Sequence, residues 1–352
     1  QLVIPGLAED FLPLRSTNVA TLPGDEATYL LDRIVRGKLV GRERELADAN
    51  LCWQRAIAGE GQILLASGEP GVGKTRFIHE LVSQIKASGA TVLTGECYAE
   101  GGAPYAPVAQ VIQDAFSQNP TLPNTLPEYI LADLLAIAPS LRPRYPDVPS
   151  NPLLNNQNEQ ERIHDSVIEL CTRMSARTPL LLFIDDVHWA DPETLFLVRH
   201  LARRSHSAHQ KTSLRLMIVL TYREVELDEA RALNEVLLDL NRERLATRVK
   251  LTRLNMERTG DMLTEMFAED TTPEFLESIF RETEGNPFFI EEVCKALIEA
   301  GKLTFAEGRW NRPMMNEIEI PQSLRLVIQT RVSRLPAQAQ EALAMAAIIG
   351  RE

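Results

Sequence analysis

The stretch 68–75, "GEPGVGKT", fits the pattern G-x-x-x-x-G-K-[ST]. It follows the apolar run "QILLAS" (62–67) and opens "KTRFIHELVSQIKAS", in which Phe77, Leu81, Val82 and Ile85 recur at helical spacing. A glycine-rich turn between a short buried strand and a helix gathers backbone N–H groups at the helix N-terminus and makes a nest for anions. The expected phosphate-side residues are Glu69, Pro70, Gly71, Val72, Gly73, Lys74, Thr75 and Arg76. Lys74 would reach the β- and γ-phosphates, and the Thr75 hydroxyl would hold Mg2+.

"LLLFIDDVHWAD" puts Asp185 at the carboxyl end of a second apolar run. Ligands of open parallel sheets sit outside that end, where a carboxylate can hold the Mg2+ of a nucleotide. Asp186 can face the attacking water, or else cap the next helix or pair with an arginine. His188 and Trp189 read as packing of the turn. "LRLMIVLTYREVEL" ends in Tyr222 and Arg223. The fork-shaped cation of Arg223, at the same sheet edge, suits a γ-phosphate and would sense its presence; the alternative is a surface pair with Glu224 or Glu226. The expected catalytic set is Lys74, Asp185, Asp186 and Arg223. No N-K-x-D-like guanine reader follows this strand, which favours ATP over GTP.

Strand runs that are apolar throughout and alternate with helices predict an α/β doubly wound fold, a parallel sheet with helices on both faces. The expected units are a linker or upstream tail at 1–38 and a nucleotide-binding domain at 39–254. A Pro-rich helical insertion at about 119–156 interrupts that domain. Strands are expected at 91–98 and 248–254 as well. Past 254 three helices ("NMERTGDMLTEMFAE", "TPEFLESIFRETE", "PFFIEEVCKALIEAG") and a hairpin ("KLTFAEGRWNR") predict a helical unit at 255–320. Two further helices lie in 321–352. The chain lacks an initial Met and ends on an apolar helix, so it is expected to be part of a longer protein.

The 352 residues carry 37 Lys+Arg against 49 Asp+Glu, a net −12. Nucleic-acid binding draws on neutralising phosphates, so this segment is not expected to bind nucleic acid directly. The basic run "RHLARRSHSAHQK" (199–211) reads as a solvated helix end and loop. Cys52, Cys97, Cys171 and Cys294 lack metal-site spacing and read as buried, reduced thiols, and no transition-metal site is expected. There is no membrane-length apolar run and no signal-peptide pattern, so a cytoplasmic location is expected.

"LVGREREL", "GEPGVGKT", "LLLFIDDVHWADP", "TYRE" and "EGNPFFIEEV" occur in that order. This series resembles the nucleotide-binding module of the signal-transducing ATPases with numerous domains (STAND), in the branch of MalT- and LuxR-type regulators. Related AAA+-like modules are fused to cyclases and kinases. The resemblance covers about residues 39–352 and implies a P-loop NTPase of the ASCE type, followed by a helical lid subdomain and the start of a winged-helix domain at 321–352. It implies an adenine-side motif in Leu39, Val40, Gly41 and Arg42, and a Gly-x-Pro motif in Gly285, Asn286 and Pro287 whose proline rests near the adenine. It further implies an ADP-bound closed form, an ATP-bound open form that self-associates, and an inducer sensed by another domain.

The expected function is a signalling switch that binds ATP or ADP with Mg2+ and hydrolyses slowly. A turnover AAA+-like ATPase, such as a loader or remodeller, and a structural nucleotide-binding module without hydrolysis are the alternatives.

Overall fold

The computed structural model describes residues 39–152, 154–206, 214–227, 229–306, 309–311, 332 and 337–349. Helix α1 (Glu43–Ile57) leads into β1 (Gln62–Gly68), α2 (Lys74–Ala87) and β2 (Thr91–Glu96). Helices α3 (Ala106–Gln118), α4 (Glu128–Ile137) and α5 (Asn156–Arg177) follow. Then come β3 (Leu180–Asp185), α6 (Pro192–His206), β4 (Leu216–Tyr222), α7 (Arg231–Arg242) and β5 (Ala246–Leu251).

The five strands form one parallel sheet in the order β2-β3-β4-β1-β5. Strand β4 is thus inserted between the strand that carries the glycine-rich loop and the strand that ends in Asp185. Alternate strand residues face opposite layers, as strand geometry requires. Ile63 and Leu65 join the core under α3 to α7, whereas Leu64 and Ala66 join the core under α1 and α2.

The expectation of wholly apolar strands holds for the inner strands and fails at the edges. In β5, Arg248 and Lys250 are exposed while Val249 and Leu251 are buried; in β2, Thr94 and Glu96 are exposed. An edge strand has a neighbour on one side only, so one face can remain wet. Strand β2 stops at Glu96 rather than Tyr98. Strand β5 spans 246–251 rather than 248–254, because the next residues leave the sheet: Arg42 donates to the Thr252 carbonyl, and Leu254 enters the core of the helical unit.

Within the Pro-rich region, α4 is fastened to α5 through a buried carboxylate. Asp133 accepts from Arg162 Nε at 3.1 Å, Ser166 Oγ at 2.9 Å and Asn151 Nδ2 at 2.7 Å. These partners offset the cost of burying the charge. Arg199 pairs with Asp239 on α7 and Arg203 with Glu243 just past its end, and residues 207–211 of the basic run lie outside the described residues.

Helices α8 (Met256–Phe267), α9 (Pro273–Thr283) and α10 (Pro287–Glu299), with the antiparallel pair β6 (Thr304–Ala306) and β7 (Arg309–Asn311), build a separate core around Leu263, Phe267, Ile279 and Trp310. Asn255, Thr272 and Asn286 each cap the helix that follows by accepting a backbone N–H. Proline at the first helical position of α9 and α10 loses no bond, since that N–H has no helical partner. The tail expected at 1–38 and nearly all of the helix expected over 321–335 lie outside the described residues; residues Ala337–Ile349 form α11. Among the described residues no helix is long and apolar enough to cross a membrane.

Candidate functional site

The loop between β1 and α2 lies at the carboxyl edge of the sheet. Gly73 adopts φ +95° as the residue before α2, and a Cβ added there would meet nothing within 4 Å. The loop backbone therefore faces an open cleft of about 710 Å3, lined by Pro70, Gly71, Gly73, Lys74, Thr75, Arg76, Asp186, Arg223, Pro287, Phe288 and Glu291, among others. Lys74 is buried, and its Nζ donates to the Gly68 carbonyl at 3.0 Å and the Glu69 carbonyl at 3.1 Å. Burial lowers its pKa, opposed by the charge of Asp186. The Glu69 side chain turns away and pairs with Arg253 at 2.8 Å, leaving its backbone as its contribution to the loop.

The two aspartates part company at the end of β3. Asp185 Oδ1 accepts the Thr221 hydroxyl from β4, and the same Thr221 oxygen accepts the Asp186 N–H at 2.8 Å. Asp186 takes φ +51°, so its side chain turns into the cleft. Burial and the neighbouring Asp185 raise its pKa, against the pull of Arg223 and Lys74.

Arg223 is held by three groups. Nη1 lies 2.8 Å from Glu226 Oε1, Nη2 lies 3.6 Å from Asp186 Oδ2, and the guanidinium sits 4.7 Å from the Trp189 ring centre. The pairing with Glu226 is one of the two partners weighed from sequence, and it coexists with the cleft position. His188 lies behind them, with Nε2 3.0 Å from Glu226 Oε2 and Nδ1 3.7 Å from Asp186 Oδ1. Neither contact has hydrogen-bond geometry, and both ring nitrogens are buried. Desolvation lowers its pKa to about 4, which keeps the ring neutral near pH 7. His188 and Trp189 do pack the turn, and in doing so they touch Asp186 and Arg223.

A second cavity adjoins the first. Leu39, Val40, Arg42, Val72, Gly73, Arg76, Leu254, Met262, Glu265, Met266, Pro287 and Glu291 line it, bringing the N-terminal segment and the helical unit together. Arg42 is 4% exposed and donates to the carbonyls of Val72 and Thr252, tying three segments at one point; desolvation lowers its pKa. Gly41 packs against Arg258 rather than lining the cavity. The space inside is about 50 Å3. A dry cavity that takes one benzene ring measures about 150 Å3, so a purine would enter only if the helical unit moved outward.

The helical unit also bonds to the phosphate loop. Asn286 Nδ2 donates to the Pro70 carbonyl at 3.2 Å, and the Phe288 N–H donates to the Gly71 carbonyl at 3.1 Å. Arg76 faces Glu291 at 3.9 Å across the same joint.

These residues fit a nucleotide with Mg2+. The loop backbone is open to the cleft at Gly73, the lysine is buried, and Thr75 on the cleft wall, with Asp185 at the adjoining strand end, offers the hard oxygen donors that Mg2+ takes. Thr221, His188 and Glu291 were not expected at the site, and Glu226 only as a partner of Arg223. A polar Thr221 closing an apolar strand just before Tyr222 was the one local signal.

The family model of the AAA ATPase domain matches residues 38–219. An uncharacterized protein of Rhizobium meliloti (strain 1021) is 24% identical over 289 residues, which is 74% of this chain and 25% of that protein. The chain thus spans a quarter of the length of the curated relative it matches. Among solved structures, the ORC2 protein of Aeropyrum pernix, in its ADPNP-ADP complexes, superimposes with TM-score 0.50 at 15% identity, over 87% of this chain and 72% of that one. A Walker-type ATPase of Pyrococcus abyssi matches with TM-score 0.47 at 13% identity, over 88% and 77%.

Proposed function

Because the chain belongs to the AAA ATPase domain family, we propose that it acts as a nucleotide-dependent signalling switch. It binds ATP or ADP with Mg2+, hydrolyses ATP slowly, and uses bound nucleotide to control the opening and self-association of a larger cytoplasmic regulator. An inducer acting through a sensor domain belongs to the same proposal.

The observation that carries it is the direct bonding of the helical unit to the loop that cradles phosphates. Whatever alters that loop alters the seat of α10. Base contacts from Val40 on one side and Pro287 on the other would make nucleotide a staple between the two units.

Lys74 and the loop N–H groups would hold the phosphates, and Thr75 and Asp185 would hold the Mg2+, which would supply neutralising charge to those phosphates. Thr221 fixes the Asp185 oxygen that faces β4. Asp186, whose side chain lines the cleft, orients water and accepts its proton. Arg223 leaves Glu226 for the γ-phosphate, so the arginine has one partner with ADP and another with ATP. Moving a two-state equilibrium from 1:99 to 99:1 takes about 5.5 kcal/mol of differential binding. A charged contact made only with ATP contributes to that difference.

The test is to denature the purified protein without added nucleotide and identify what is released by chromatography. Near-stoichiometric ADP, together with particle growth in light scattering after exchange into ATP, is expected. An empty protein that turns over added ATP rapidly without changing size overturns the switch and leaves a turnover engine.

A further inference from the structure

The two cavities at the site share four residues: Gly73, Arg76, Pro287 and Glu291. Of these, Glu291 is the one carboxylate. The first cavity is mostly apolar, with Leu39, Val40 and Met266 on its walls, and the second holds Lys74, Thr75 and Arg223. A ligand with a flat ring in the first, once outward movement of the helical unit has widened it, and phosphates in the second must pass its connecting sugar through the shared region.

The Glu291 carboxylate makes no hydrogen bond to any described residue. Its ion-pair partner, Arg76, stands 3.9 Å away, beyond hydrogen-bond reach. The side chain is 22% exposed, and burial raises its pKa. An ionised carboxylate offers acceptors only, on two oxygens, which matches two vicinal hydroxyl donors. Beside a polyphosphate such a group would be repelled. Arg76, from the first turn of α2, supplies the compensating charge.

We propose that Glu291 reads the ribose, accepting hydrogen bonds from its 2′- and 3′-hydroxyls, and makes the site selective for ribonucleotides over deoxyribonucleotides. This rests on the nucleotide reading given above. It also gives α10 a direct hold on the sugar, so a deoxynucleotide would fasten the helical unit less firmly.

Equilibrium binding of ATP, 2′-deoxyATP and 3′-deoxyATP with Mg2+ to the whole chain, by calorimetry, tests it. A lost hydrogen bond to a charged group corresponds to a preference of about 10- to 100-fold, and the unaltered protein is expected to favour ATP by that factor. Glu291→Ala is expected to bring the three affinities within about 3-fold of one another, chiefly by weakening ATP. Glu291→Gln, which keeps the shape and one acceptor, is expected to fall between. Equal affinities in the unaltered protein overturn the proposal. So does a Glu291→Ala protein that weakens all three ligands alike, which would make Glu291 an ion-pair partner of Arg76 and nothing more. Should the alanine variant not fold, the glutamine variant and the unaltered protein decide the matter by the same ratios. Absence of binding by every nucleotide removes the nucleotide reading itself, and is distinct from binding without discrimination.

Discussion

Asn286 stands at the start of α10, and its side-chain amide donates to the Pro70 carbonyl, 216 residues earlier, at 3.2 Å. Its oxygen meanwhile accepts the Phe288 N–H at 3.1 Å, so a single side chain caps the helix and grips the loop. Asn286→Asp keeps the acceptor and loses the donor. It is expected to leave α10 folded, while nucleotide dissociates about 10-fold faster, the equivalent of a typical hydrogen bond. Stopped-flow release of a fluorescent nucleotide reads this directly. Release as slow as in the unaltered protein would mean the grip has no bearing on the site.

Lys74→Ala removes the buried cation from the cleft. Nucleotide binding is expected to fall by at least about 100-fold, with the circular dichroism unchanged. Asp185→Asn is expected instead to weaken the dependence of binding on Mg2+. If both variants bind ATP with unaltered affinity and metal dependence, the phosphates do not lie on this loop.

Arg223 bonds to Glu226 at 2.8 Å and stacks on Trp189. Arg223→Ala is expected to bring the affinities for ATP and ADP together. Glu226→Gln, which loosens the competing pair, is expected to favour ATP by several-fold, within the range of about 1 kcal/mol for a partly exposed ion pair. Lysine at position 223 should not substitute, because it lacks the planar fork and the stacking face. Competition binding measures the ratio; an unchanged ratio in Arg223→Ala would exclude the sensor role.

Gly285 has φ +74°, and a Cβ there would sit 1.9 Å from the Leu254 carbonyl oxygen. The same two residues are joined by the Leu254 N–H donating to the Gly285 carbonyl at 2.8 Å. Gly285→Ala is expected to destabilise the helical unit by about 2–4 kcal/mol. Gly101 has a similar φ of +75° with nothing within 4 Å, so Gly101→Ala should cost only about 1–2 kcal/mol. Equal melting temperatures for the two variants would show that backbone conformation alone, without the clash, accounts for the loss.

His164 is buried between Tyr105 and His200, and desolvation lowers its pKa from 6.5 to about 4. The unfolded chain takes up this proton below pH 6.5, while the folded chain does so only near pH 4. Between those values the unfolded state binds more protons, so stability falls as pH falls. At pH 5 the loss from this group is about 1–2 kcal/mol. Urea midpoints at pH 7 and pH 5 should differ by less in His164→Gln than in the unaltered protein; parallel curves would refute the assignment. The shift of His188 acts in the same sense and remains in the variant.

The glycine-rich loop, the inner strands and the three helices after residue 254 were legible because their signals are local. Each is a spacing, a run or a capping residue. Gly285, Asn286 and Pro287 could be picked out as a group, but the grip of Asn286 on Pro70 could not, since nothing in either segment specifies the other. In the Asp186, His188, Arg223 and Glu226 cluster, Asp186 and Arg223 were expected at one sheet edge and Glu226 as a partner of Arg223, but the place of His188 behind them was not. The cluster's members come from the ends of two strands that the sheet makes neighbours, and sequence alone leaves that pairing open. The limits of β5 were misread because its apolar residues continue into Leu254, which serves the next core rather than the sheet.

The four cysteines are each at most 4% exposed and spread over α1, the end of β2, α5 and α10. For spectroscopy that is a favourable starting point. A maleimide dye would find the native thiols shielded, so one new cysteine on an exposed face of α8 and another on α1 could be labelled without first stripping the chain of its own. The distance between the two dyes would then show, molecule by molecule, whether the helical unit changes its distance from α1 as nucleotides are exchanged.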